Sequence, residues 1–183
     1  TELTLAPAQR ADLIVDISGP VGFDMLTRQG PYRLADLAVS GTNTDRKAGT
    51  ILALLPPDLP TPAEPSQHLT LMMMGGAMGG RHDGDNIWAF NNVSDLQADP
   101  FGSFQNGETV RITFVNDTSF PHGIHLHGHH FYEVDENGAL GDLRDTTLVN
   151  AGESRDVICV FDNPGRWLLH CHMLSHAVGG MRT

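Results

Sequence analysis

Basic side chains are scarce in this chain. Eleven Lys and Arg stand against 22 Asp and Glu in 183 residues, a formal net charge of -11. No basic face is left to neutralise phosphates, which argues against a nucleic-acid partner. No apolar run approaches the roughly 20 residues of a transmembrane helix, so no membrane partner is expected. There is no signal peptide, and the chain opens on Thr1 rather than Met. The expectation is a processed chain or a fragment whose missing N-terminal portion carried any targeting signal. Cysteine is almost absent too. Cys159 and Cys171 could form one disulfide, but Cys159 lies in the apolar run Val157-Ile158-Cys159-Val160-Phe161. There a free thiol serves as a small hydrophobe, and compartment is not legible from cysteine usage. Sustained helical periodicity is also lacking over residues 1–57.

What is present reads as β-structure. Strands are predicted at residues 3–5 and 12–17, then at 23–27, 32–39 and 50–55, rich in β-branched residues and parted by turn formers. The segment from Pro56 to Pro65 carries five prolines in ten residues, the composition of an extended linker. Beyond it, strands are predicted at 69–73, 87–90, 109–115, 130–134, 146–149, 155–161 and 167–172, at the short spacing of a sandwich or barrel. The division is therefore 1–55, a linker over 56–67, and 68–183. A weak repeat at an offset of 144 residues lays Leu5–Met25 over Val149–Leu169, with Asp12 on Asp156 and Pro20 on Pro164. The first unit lacks histidine and cysteine at the repeated positions.

Ten histidines are present, and five fall between His122 and His130. Three more flank a cysteine in His170-Cys171-His172-Met173-Leu174-Ser175-His176. Successive strand side chains point to opposite faces, so Cys171 faces one way and His170 and His172 the other. His125 and His127 share a face by the same rule. Two such pairs on neighbouring strands would give four imidazoles to one space, part of a polynuclear metal site. A thiolate, two histidines and a weak axial methionine make a blue-copper site. Cys171, His176 and Met181 supply three of these. His122, set off by the bend at Pro121 and Gly123, is the candidate for the missing imidazole.

His122-x-x-His125-x-His127 and His170-Cys171-His172-x-x-x-His176-x-x-x-x-Met181 together resemble the two C-terminal copper motifs of the multicopper oxidases, a family that includes laccases. The resemblance covers the second unit. It implies an all-β fold, a cupredoxin-like Greek-key β-sandwich or barrel. It implies type 1 copper on His122, Cys171, His176 and Met181, type 2 copper on His125, and type 3 coppers on His127, His170 and His172. Electrons from a phenol, an aromatic amine or a low-valent metal ion would enter at the type 1 site. They would pass through Cys171 and its neighbours His170 and His172 to a trinuclear centre that reduces dioxygen to water. The first unit, through Leu5-Ala6-Pro7 and Arg10-Ala11-Asp12, resembles the end of a ligand-free middle cupredoxin-like domain. A periplasmic or secreted location is implied as well.

Departures carry expectations of their own. The family's trinuclear centre takes eight histidines and only four match, so an N-terminal portion bearing two His-x-His pairs is the expected partner. The chain stops just past Met181, where relatives continue into another strand. Ala177 stands where many bacterial relatives carry a Glu implicated in proton delivery, so protons must come from elsewhere. Met72-Met73-Met74-Gly75-Gly76-Ala77-Met78 reads as a core-filling strand end rather than a copper-handling patch. His68 and His82 are not expected to be ligands. His129 and His130 are open, with His129 a candidate second donor beside the trinuclear site. Asp142 and Asp145 could orient a histidine but are more simply loop charges. The other classes are a blue-copper electron carrier, a copper nitrite reductase-like domain and a copper-storage module. The first two leave His172 or the other outward histidines without purpose.

Overall fold

The computed structural model describes residues 2–41, 55, 58–76 and 87–183. It divides into two compact units, Thr1–Arg10 with Asp58–Thr183, and Ala11–Pro57. The N-terminal ten residues thus belong with the later unit, although they lie far before the proline-rich stretch.

The smaller unit is a hairpin of β1 (Val21–Thr27) and β2 (Gly30–Leu37). Its register runs from Val21 opposite Leu37 to Thr27 opposite Gly30, with an irregularity between Phe23 and Asp24. Gly30 adopts φ 114, a conformation that favours glycine, and the Thr27 hydroxyl donates to the Gly30 carbonyl at 2.6 Å. Two expected strands do not form. Residues 3–5 and 12–17 have strand-like composition but no ladder partner among the described residues, and extended backbone without a partner is not sheet. The strand expected at 50–55 lies outside the described residues, except for Leu55, which is irregular.

Among the described residues the larger unit carries nine strands and a short helix. They are β3 (Gln67–Gly75), β4 (Trp88–Phe90), β5 (Glu108–Asn116), β6 (His122–Leu126), β7 (Phe131–Val134), β8 (Leu140–Arg144), β9 (Thr146–Val149), β10 (Ser154–Phe161), β11 (Leu169–Cys171) and α1 (Leu174–Val178). One sheet has the order β4-β3-β5-β10-β7-β8, the other β11-β6-β9. All pairings are antiparallel except β3 with β5. Alternating residues from both sheets fill one core. Leu71, Met73, Val110, Ile112, Phe114 and Val157 come from the first, and Ile124, Leu126, Val149, Leu169 and Cys171 from the second. Met73 points inward while Met72 and Met74 are half-buried, the alternation expected of a strand. Met78 and His82 lie outside the described residues. No helix among the described residues is long and apolar enough to cross a membrane.

Seven strands were expected in this unit, and each has a counterpart. The sequence announces β6 only through the shared strand face expected of His125 and His127, and it does not announce β8. Nor does it announce α1, where a loop was expected. The Met173 carbonyl accepts from His176 N at 2.8 Å and Ala177 N at 3.2 Å, so the chain doubles back immediately after β11. That fold-back carries His176 towards Cys171.

Candidate metal centre

The centre is built on β6 and β11, which pair antiparallel with His125 opposite His170 and Ile124 opposite Cys171. On one side of this pair lie His122, Cys171 and His176, whose ligand atoms all fall within 4.8 Å of one another. Cys171 Sγ is 3.6 Å from His122 Nδ1 and 3.7 Å from His176 Nδ1, and the two Nδ1 atoms are 3.0 Å apart. Met181 is fully buried, and its backbone accepts from Cys171 N at 3.1 Å and donates to the His176 carbonyl at 3.0 Å. The turn through α1 thereby returns Met181 beside the other three.

A hydrogen-bond network sets the tautomer of His122. Its Nε2 lies 2.8 Å from the Thr118 hydroxyl. That hydroxyl also lies 2.8 Å from Asn116 Oδ1 and 3.1 Å from the Phe120 carbonyl, both acceptors, so its one proton is turned towards them. Nε2–H of His122 then donates to Thr118, leaving the Nδ1 lone pair to face Cys171 Sγ. Asn116 is anchored in turn by its amide nitrogen, whose two protons are shared among the carbonyls of Phe120, Val149 and Asn150. Burial, aided by His176, pushes the His122 imidazole down to about 3, and burial lowers His176 as well. Burial raises the Cys171 thiol to about 11 against backbone N–H bonds from Met173 and Gly123. Both imidazoles are therefore neutral and ligand-ready at neutral pH, while the thiol holds a proton that a metal must displace.

On the other side lie His125, His127 and His170, again with ligand atoms within 4.8 Å of one another. His125 Nδ1 is 2.9 Å from the Asp145 carbonyl and 2.9 Å from the Thr146 hydroxyl. A carbonyl only accepts, so Nδ1 carries the proton and Nε2 keeps its lone pair. His170 is set likewise, donating from Nδ1 to the Cys171 carbonyl at 2.9 Å, with its Nε2 3.1 Å from His127 Nε2. His172 flanks this trio, its ring 5.5 Å from His125 and 5.4 Å from His170. Burial lowers both His125 and His170. Two donor sets of different hardness thus stand back to back on one strand pair. One has sulfur with imidazole, which suits blue copper. The other has imidazole alone, which suits further copper.

The residues left open in the sequence find other work. His129 is buried, donates from Nδ1 to the His127 carbonyl at 3.3 Å and accepts from Asn163 N at 3.4 Å. It braces the turn after a cluster histidine and stays out of both clusters. His130 is exposed, and His68 bonds the Thr113 hydroxyl at 2.8 Å. Asp145 does orient a histidine, but through its backbone carbonyl. Burial would raise its carboxyl, and hydrogen bonds from Arg10 and Thr146 outweigh that and lower it. Asp142 pairs with Arg144 at the surface. Sequence reasoning missed Thr118, Thr146 and Trp88, whose ring lies against that of His176 at 4.2 Å. None carries a motif. Only the place of Thr118, four residues before His122, hinted at a partner.

The profile of the multicopper oxidases matches residues 62–183. The chain is 33% identical over 159 residues to Copper resistance protein A of Escherichia coli, which covers 86% of this chain and 25% of that protein. It is 34% identical over 120 residues to Multicopper oxidase MmcO of Mycobacterium tuberculosis, covering 66% of this chain and 22% of that one. Among solved structures, Lac15 from a marine microbial metagenome superposes with a TM-score of 0.67 at 48% identity, over 88% of this chain and 38% of that one. A multicopper oxidase from Campylobacter jejuni, described as a metallo-oxidase, gives 0.67 over 91% of this chain and 41% of that one. Its 21% identity speaks for the fold alone. The chain spans only a fifth to a quarter of the length of the curated relatives it matches.

Proposed function

The chain belongs to the multicopper oxidase family, with its cupredoxin-like fold and copper cofactor, and from that premise we propose that it forms the C-terminal, copper-carrying part of a laccase-like oxidase. His122, Cys171, His176 and Met181 would hold the type 1 copper. His125 would serve a type 2 copper, and His127, His170 and His172 a type 3 pair. When bound, copper supplies one-electron uptake from a reductant at the first site and dioxygen reduction to water at the second.

The chain's own residues do the arranging. Thr118 holds the His122 ring so that Nδ1 faces the thiolate, and the Asp145 carbonyl with Thr146 aims His125 the other way. The observation that carries the reading is the single junction at β11. Cys171 Sγ belongs to one cluster, while the imidazole of its immediate neighbour His170 belongs to the other. The two sites are thus joined by a few covalent bonds. An electron carrier or a nitrite reductase-like domain would leave that second imidazole group without a task.

The reductant is a small molecule, a phenol, an aromatic amine or a low-valent metal ion, and the oxidant is dioxygen. The remaining histidines would come from an N-terminal portion of the same oxidase. The copper-resistance proteins among its relatives fit a periplasmic or secreted setting. Copper loading of the chain tests the type 1 assignment. An intense visible thiolate-to-copper band should form and vanish in Cys171→Ser, with at least one copper lost per chain. A colourless copper complex in the unsubstituted chain would sink it.

A further inference from the structure

Trp88 touches both imidazoles of the first cluster. Its ring lies 4.2 Å from that of His176 at a tilt of 36°, and meets His122 edge-on at 5.2 Å and 80°. The indole is buried, and its backbone is locked. Trp88 N donates to the Gly179 carbonyl at 2.9 Å, and the Trp88 carbonyl accepts from the Ser94 hydroxyl at 2.7 Å. Phe120 packs against it edge-on at 5.7 Å and is itself 43% exposed. Phe120 is thus the outer member of this flank, Trp88 and His122 are buried behind it, and the His176 ring, itself half-buried, is covered by the indole on this side.

The chain around Trp88 is cleared of side chains. A Cβ on Gly76 would lie 3.1 Å from the indole Cη2, and one on Gly180 would lie 2.5 Å from the Trp88 carbonyl oxygen. These two glycines also have positive φ, so backbone conformation alone accounts for them. Gly179 differs. Its φ is -78, which any residue adopts, yet a Cβ there would lie 2.9 Å from the indole Cδ1 and 3.1 Å from the Ser175 carbonyl oxygen. The close approach of the indole is thus a main reason for glycine at 179.

We propose that Trp88 is a positioning residue of the type 1 site, fixing the plane of the His176 ring and keeping water away from the bound metal. This rests on the reading that His122, Cys171, His176 and Met181 hold a copper. Two consequences follow from elementary electrostatics. A dry, apolar wall disfavours the more highly charged state of the site and so raises the reduction potential of the copper. A ring held in one plane also keeps Nδ1 on its ligating line.

The test uses the copper-loaded chain with Trp88→Phe, Trp88→Ala and Gly179→Ala, read by visible absorption and by redox titration. The potential should fall in the order wild type, Trp88→Phe, Trp88→Ala. Gly179→Ala, which displaces the indole without altering it, should lower the potential and weaken the thiolate-to-copper band. Should Trp88→Ala fail to fold by circular dichroism, the Phe and Gly179 variants decide the matter. Potentials and bands equal to wild type in the folded variants would overturn the proposal. Absence of the band in the unsubstituted chain would instead overturn the type 1 reading beneath it.

Discussion

The two clusters differ most clearly in how single residues hold their protons. The Thr118 hydroxyl donates to Asn116 and accepts from His122 Nε2, inside a network in which Asn116, Thr118 and His122 are all buried. Thr118→Val keeps the shape but leaves the His122 imidazole N–H without its acceptor, while Asn116 Oδ1 keeps the bond from the backbone N–H of residue 118. Stability should drop by about 1–3 kcal/mol, the cost of an unsatisfied buried polar group, and Thr118→Ser should restore most of it. Chemical denaturation of the metal-free chain measures this. Cys171 carries the opposite burden. Its thiol sits at about 11, and the thiolate is the ligand, so each copper bound there releases one proton. The apparent copper affinity should therefore rise about tenfold per pH unit above neutrality, levelling off only as the pH nears 11. His122 and His176 add no slope in that range, because burial already lowers them below their ordinary 6.5. Copper competition at several pH values checks it, and a flat profile would show that Cys171 is not the ligand.

At the scale of elements, one strand pair separates the two chemistries. The pleat of β11 turns Cys171 to one side and His170 to the other, and β6 does the same with neighbours of His125. That division was legible in the sequence, because alternation along His170-Cys171-His172 needs no knowledge of the fold. Seven strands of the large unit, all but β6 and β8, were legible as apolar runs between turn formers. What could not be read depended on distant partners. Residues 12–17 look as strand-like as 155–161, but among the described residues only the latter meet ladder partners, in β5 and β7. The short α1 has no amphipathic period and no side-chain cap, so nothing local announces it. Trp88 lies 34 positions before His122 and 88 before His176. Its place beside His122 and His176 follows from β4 pairing with the end of β3, a tertiary fact without a motif.

At the scale of the whole molecule, the two clusters are unequally complete. The first gathers a cysteine, two histidines and a buried methionine from within 60 residues of one chain, and needs nothing further. The second brings three imidazoles into ligand range with His172 at its flank, and the other side of that space has no histidines among the described residues. Copper bound there would lack half of the imidazoles that the family's trinuclear centre takes, so its affinity and its capacity to hold dioxygen should both be low. Electron uptake and dioxygen reduction should therefore come apart experimentally. The copper-loaded chain alone should be reduced by a phenol, bleaching its visible band. It should then consume dioxygen no faster than Cys171→Ser. Reconstitution with an N-terminal portion bearing two His-x-His pairs should restore turnover and raise the copper count to four per assembly. An oxygen electrode and metal analysis distinguish the cases. Fast oxygen consumption by the isolated chain would mean that the four imidazoles on β6, β11 and their flanking turns suffice, and that no partner completes the site.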